Sequence, residues 1–241
     1  MEAFRAAIED GAGGLETDAH LTRDGSVVLI HDDTVDRTTD GSGAVRTLDL
    51  AEIQDLDAGY GFVDGAGDSY RGRGVRVPTL AEVYGEFPGV PINIDIKEEI
   101  PGIEAAVLQE IWLAGAEHRT LIASFRHGVI ARFRRVCGGS VPTSASRFEI
   151  GIFMALHALR LTRLLRPSYR ALQVPVKHRV IQIVTPRFIE SAHYLGLRVD
   201  SWTIDDPHEM RRLLDLGVDV IMTKRPAALT DVLRERRALR P

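Results

Sequence analysis

The sequence predicts an α/β protein built on a parallel sheet with crossover helices, either an open doubly wound sheet or a closed eight-stranded barrel. Three observations predict it. Short strand-like runs alternate with helical patterns along nearly the whole chain. Three of the helical patterns open on proline, at Pro186, Pro207 and Pro226, where a first helical turn has no use for the missing N–H. Two of the strand-like runs carry polar side chains at alternate positions, which gathers them on one face.

The elements follow in order. Met1 to about Asp10 reads as a charged helix with no apolar stretch of signal-peptide length. "GLETDAHL", residues 14 to 21, reads as the first strand, and Asp24-Gly25 as the turn to a short return strand at 27 to 30. Thr47 to Leu56 and Leu80 to Phe87 read as short helices flanking a Gly- and Asp-rich surface excursion near 57 to 75. Further strands are expected at 91–97, 120–125, 140–144, 171–175, 197–204 and 218–223. Helices are expected near 101–114, 127–136, 149–166, 186–195, 207–216 and 226–237. The main strands number seven and the chain opens on a helix with nothing to cross over from, so a barrel of this sequence would lack its first strand.

With 241 residues, the chain is long enough for one large core, and no linker divides it, so a single domain over 1–241 is expected. Thirty basic against 34 acidic side chains give a net charge of −4, which offers no support for nucleic-acid binding through bulk positive charge. The single cysteine, Cys137, excludes an internal disulfide and reads as a small core residue. No window is long and apolar enough to span a membrane, and a cytoplasmic location is expected. The nearest approach, residues 148–170, has an apolar first half followed by Arg160, Arg163, Arg166 and Arg170. It is expected to be a buried helix with a basic, solvated end; the alternative is an interfacial helix leaning on anionic lipid.

The chemistry gathers at two places. Glu16, Asp18 and His20 share one face of the first strand, and the hairpin returns His31 and Asp32 toward them. Such a carboxylate pair is either a solvated face or, if partly buried, needs a shared proton or a hard cation. "INIDIK" adds Asp95 and Lys97 on one face of an otherwise apolar strand. Three carboxylates converging with an ammonium and an imidazole suggest phosphoryl chemistry, with Lys97 on an anionic substrate group and His31 moving a proton. A simple Asp95–Lys97 pair is the competing reading.

"GLETDAHLTRDGSVVLIHDDTVDRTTDGSG", "VPTLAEV", "INIDIK", "ASF", "SWTIDD" and "LGVDVIMTKRP" resemble, in that order, the landmarks of the glycerophosphodiester phosphodiesterase family. The resemblance implies a TIM (β/α)8 barrel that hydrolyses glycerophosphodiesters to glycerol 3-phosphate and an alcohol with a divalent cation, Mg2+ or Ca2+. It implies metal ligands at Glu16, Asp18 and Asp95, the last one methylene shorter than the family's usual Glu. It implies a catalytic histidine at His31 and substrate contacts at Lys97 and Trp202. The expected partner is a small glycerophosphodiester, with peripheral membrane contact allowed and no obligate protein partner. Lys224 and Val220 depart from the family pattern. Family members open on a strand ending in His-Arg-Gly, and Met1 falls just past that point. The expectation is therefore an incomplete barrel with one catalytic histidine, weakly active as written. An inactive barrel keeping the phosphate pocket and a lysophospholipase D type activity are the alternatives.

Overall fold

Proline punctuation and apolar alternation set the elements of the computed structural model, which describes residues 1–238. The chain divides into two compact units, Met1–Arg5 with Gly14–Val141, and Ala6–Gly13 with the chain from Pro142 onward. Helix α1 (Glu2–Glu9) contributes residues to both.

The first unit contains strands β1 (Leu15–Leu21) and β2 (Val27–Leu29), a 3-10 turn at Val45–Thr47, and short helices α2 (Leu50–Gln54) and α3 (Leu80–Glu86). Strand β3 (Ile92–Ile96), helix α4 (Ile103–Leu113), strand β4 (Thr120–Ala123) and helix α5 (His127–Cys137) complete it. The sheet order is β2-β1-β3-β4, with β1, β3 and β4 parallel and β2 antiparallel at the edge. The Asp24-Gly25 turn forms as expected. Gly25 takes φ 86°, a conformation a β-carbon disfavours, and its N–H donates to the Thr22 carbonyl at 3.1 Å. Helix α3 starts where Thr79 and Glu82 satisfy each other's backbone N–H groups, at 3.1 and 2.7 Å. Ile92, Ile94 and Ile96 are buried, as are Val107 and Ile111 of α4 and Ile130 and Phe133 of α5. Cys137 is a buried, free core thiol. The excursion at 57–75 carries no helix or named strand; it folds on itself through a Val63–Ser69 bridge and the edge-on Phe62–Tyr70 pair.

The second unit runs through α6 (Arg147–Ala158), β5 (Ala171–Val174), the hairpin β6 (Lys177–His178) and β7 (Ile181–Gln182), and α7 (Pro186–Tyr194). It continues with β8 (Arg198–Ser201), α8 (Pro207–Leu216), β9 (Val220–Ile221) and α9 (Pro226–Ala238). Strands β5, β8 and β9 form a parallel sheet in that order. Its core includes Phe153 of α6 and Phe188 of α7, packed edge to face at 5.2 Å.

Three expectations need correction here. The strand expected at 140–144 survives as a single parallel bridge from Ser144 to Ala171. The helix expected to reach residue 166 stops at Ala158. The Leu161 N–H donates to the Leu156 carbonyl at 2.7 Å and the Arg160 N–H to the His157 carbonyl at 3.1 Å, while Arg160 takes φ 61°. That is a Schellman closure with arginine where glycine is usual, so nothing in the residue type announced it. Nor is α6 a buried helix: Phe153 is its one fully buried residue. Among the described residues no helix is long and apolar enough to cross a membrane.

Candidate active site

Parallel pairing of β1 with β3 places Glu16 opposite Asn93 and Asp18 opposite Asp95. Because side chains alternate along each strand, Glu16, Asp18 and His20 leave β1 on one face and Asp95 leaves β3 beside them. The chain folds this way locally because the intervening residues, Thr17, Ala19, Ile94 and Ile96, fill the other face and are buried.

Lys97, one residue past β3, reaches back to both aspartates. Its Nζ lies 3.0 Å from Asp18 Oδ1 and 3.2 Å from Asp95 Oδ2. Both aspartates are buried and Lys97 is one-third exposed. Burial pulls the Lys97 ammonium down, but Asp95 and Asp18 outweigh it and the net shift is upward. Burial pushes the Asp95 carboxyl up, against the pull of Lys97. Asp95 Oδ1 is sealed from solvent with no hydrogen-bond donor; Asp18 Oδ1, although close to Lys97, is not aligned for a hydrogen bond. Glu16 keeps solvent contact, yet loss of hydration, followed by repulsion from Asp18 and Asp95, pushes its carboxyl up to about 7. The two neighbouring carboxyl groups, Asp18 and Asp95, act in the same direction as the loss of hydration.

The reach of Lys97 is set by its neighbours. The Ser124 hydroxyl donates to the Ile96 carbonyl at 2.7 Å and Arg126 Nε to the Lys97 carbonyl at 3.0 Å, which fixes the backbone from which the ammonium extends. Ser124 falls within the "ASF" landmark, where no role was assigned to it, and Arg126 was not singled out in the sequence.

His31 stands just past β2 and is 69% exposed. Its Nδ1 lies 2.6 Å from Asp32 Oδ1, and Arg37 grips the same carboxylate through Nε at 2.6 Å and a second guanidinium nitrogen at 3.0 Å. The Arg37 and His31 contacts hold the Asp32 carboxyl well below the usual carboxylate range. An ionised Asp32 fixes the proton of a neutral imidazole on Nδ1 and leaves the Nε2 lone pair outward. Sequence reasoning paired His31 with Asp32 but missed Arg37, whose spacing of five residues from Asp32 matches no regular repeat. The Ile30 N–H donates to the Asp18 carbonyl at 3.2 Å, which holds the backbone next to His31 against β1.

His20 is buried to 1%, its Nδ1 lying 3.3 Å from Glu98 Oε1 without hydrogen-bond alignment. The alternation that gathered Glu16 and Asp18 had already placed His20 on this face; what the sequence did not show was Glu98. Trp202 directly follows β8 in the second unit and is half-buried.

The donor set fits a hard divalent cation in kind. Asp18 and Asp95 share one ammonium, Glu16 adds a third carboxyl group, and two buried carboxylate oxygens lack a hydrogen-bond donor. The arrangement is another matter: among the described residues no three His, Cys, Asp or Glu side chains stand where they would jointly hold a metal ion. Lys97 lies between the two aspartates instead.

The sequence matches the model of the glycerophosphoryl diester phosphodiesterase family over residues 1–228. A glycerophosphodiester phosphodiesterase of Caldanaerobacter subterraneus subsp. tengcongensis is 35% identical over 243 residues, covering 98% of this chain and 91% of the relative. Among solved structures, the glycerophosphoryl diester phosphodiesterase domain of a Mycobacterium tuberculosis protein aligns with a TM-score of 0.81 at 18% identity, over 96% of this chain and 91% of that one. An Oleispira antarctica phosphodiesterase in complex with the product sn-glycerol-3-phosphate aligns with a TM-score of 0.72 at 20% identity, over 96% and 89% of the two chains. These likenesses show the fold, the TIM barrel that the order of sequence landmarks implied. With relative, family model and fold in agreement over nearly its whole length, this chain belongs to the glycerophosphoryl diester phosphodiesterase family.

Proposed function

We propose that the chain hydrolyses glycerophosphodiesters to glycerol 3-phosphate and an alcohol. The observation that carries this reading is Lys97, its ammonium 3.0 and 3.2 Å from two buried aspartates and still one-third open to solvent, where a phosphoryl oxygen has access to it. In this reading Lys97 binds and orients the phosphate as a point charge. His31 moves a proton at Nε2 to or from a reacting oxygen, in the tautomer that Asp32 and Arg37 hold. Water supplies the oxygen that joins phosphorus, and the bond from phosphorus to the alcohol oxygen breaks.

Glu16, Asp18 and Asp95 would hold the divalent cation, Mg2+ or Ca2+. When bound, that cation neutralises charge on the phosphoryl oxygens. The single ammonium shared by Asp18 and Asp95 and the raised Glu16 carboxyl support this assignment.

The test is release of glycerol 3-phosphate from glycerophosphocholine, followed by phosphorus NMR, with and without EDTA. EDTA-sensitive release supports the reading. Absence of turnover with either cation present would sink it. Turnover of lysophosphatidylcholine in preference to glycerophosphocholine would move the activity to the lysophospholipase D class.

A further inference from the structure

Positive charge gathers where α6 ends. Arg160 follows the helix, Arg163 stands in the 3-10 turn Thr162–Leu164, Arg166 comes next, and Arg187 of α7 adjoins them. Two of the four serve backbone carbonyls, as basic side chains at a helix C-terminus do. Arg187 donates to the His157 carbonyl at 2.6 Å, and Arg166 to the carbonyls of Arg163 and Leu165, both at 3.2 Å. Arginines elsewhere, such as Arg5, Arg23, Arg132 and Arg198, are held by carboxylates. Arg160 and Arg163 have neither kind of partner: among the described residues their guanidinium groups make no ion pair and no hydrogen bond. Arg160 also holds φ 61°, in the left-handed region where glycine is usual. Strain of this kind persists where a side chain has a use.

These two arginines line a cleft of about 360 Å3 together with Thr162 and, from α7, Glu190, Ser191 and Tyr194. The α7 wall is anchored from the core. The His157 ring stacks parallel to Phe153 with centroids 6.2 Å apart, meets Phe188 edge-on at 5.9 Å, and places its Nδ1 3.1 Å from the Ser191 hydroxyl. The donor set narrows the ligand. Two guanidinium forks match the oxygens of a phosphate, and three hydroxyl groups add further hydrogen-bonding positions. Glu190, the one carboxylate of the cleft, makes no ion pair among the described residues. A carboxylate repels a bare phosphate ion, but it accepts hydrogen bonds from hydroxyl groups carried on the same molecule.

We infer that this cleft binds a phosphorylated polyol, with the phosphate on Arg160 and Arg163 and the polyol hydroxyls on Glu190. A free polyol phosphate and the headgroup of a phosphoinositide lipid share that chemistry. Glycerol 3-phosphate, the product of the hydrolysis proposed above, is of the same class; only that link rests on the proposed hydrolysis, since every residue of the cleft lies in the second unit, apart from Lys97 and His31.

The test is calorimetric titration of the full chain in EDTA with glycerol 3-phosphate and with inorganic phosphate, beside co-sedimentation with phosphatidylcholine vesicles with and without phosphatidylinositol. R163Q is expected to weaken binding of both anions roughly ten-fold. E190Q should separate them: it weakens glycerol 3-phosphate roughly three-fold by removing an acceptor and strengthens inorganic phosphate by removing a repulsion. Arg163 and Glu190 are exposed, so circular dichroism and glycerophosphodiester turnover of both variants should match the unaltered chain. K97M, which alters the proposed active site, is expected to keep the binding that R163Q removes. R163Q-sensitive binding of the free ligand assigns the cleft to a soluble polyol phosphate, and R163Q-sensitive binding of phosphatidylinositol vesicles alone assigns it to a lipid headgroup; both support the proposal. It is overturned by absence of binding to ligand and vesicle alike, by binding that R163Q leaves unchanged, by binding that K97M removes, or by an E190Q variant that shifts the two anions in the same direction.

Discussion

Asp18 and Asp95 face each other as register partners on adjacent parallel strands, both buried. Two carboxylates so placed repel across a few ångströms of low-dielectric interior, and the chain supplies one ammonium to the pair. The chemistry proposed for this surface, and most of its expected sensitivity, follow from that shortage of positive charge.

Replacement of Lys97 by Met leaves both aspartates without their cation. Turnover of glycerophosphocholine is expected to fall by roughly two to three orders of magnitude, because a preorganised charge on the phosphoryl group is lost. Stability without added metal is expected to fall by about 2 kcal/mol, less than for a fully buried pair because Lys97 is partly solvated. Urea unfolding in EDTA measures the second effect, and an unchanged midpoint would show that Lys97 is not what balances the aspartates.

Glu16 gives the site a pH signature. Its folded carboxyl titrates near 7, above its ordinary value of 4.5, so the folded state binds more protons than the unfolded state between these values. Stability from this group is present below the ordinary value and is lost as pH rises toward about 7. In metal-free buffer the unaltered chain should lose stability across that window relative to Glu16→Gln, whose amide does not titrate. Parallel pH dependences for the two proteins would contradict the assignment.

His31 and Asp32 should separate chemistry from folding. His31→Gln is expected to lower kcat by roughly two to four orders of magnitude. Asp32→Asn should lower it by a smaller factor, because the imidazole remains but its proton is no longer fixed on Nδ1. Both residues lie at an exposed corner after β2, so thermal midpoints should move little. Asp32→Asn with full kcat would remove the orienting role.

Arg160→Gly should raise stability by about 0.5–1 kcal/mol, since the closure of α6 needs a left-handed backbone that glycine enters without a β-carbon clash. The gain is reduced by the extra freedom glycine has when unfolded. Urea unfolding of the variant beside the unaltered chain measures the difference, and a lower midpoint for Arg160→Gly would contradict it.

Phe153→Ala should cost about 3–5 kcal/mol in urea unfolding, by opening a cavity against Phe188 in a core with no solvent contact. Ile152→Ala, one position away on the outer face, should cost a small fraction of that.

By itself the sequence determined the strands and helices whose signals are local. Alternation placed Glu16 and Asp18 on one face of β1 and Asp95 on the corresponding face of β3, Asp24-Gly25 fixed the hairpin, and prolines opened α7, α8 and α9. The landmark order named the family before any distance was known. Tertiary structure decided what depends on neighbours distant along the chain or on unmarked backbone. It set Lys97 between two aspartates, joined Arg37 to Asp32, and buried His20 beside Glu98. It also ended α6 at an arginine in a left-handed conformation and left Ile152 and Leu159 exposed. Periodicity reports which face a side chain takes; it carries no information about what stands opposite that face, and opposition is what sets charge balance, burial and exposure.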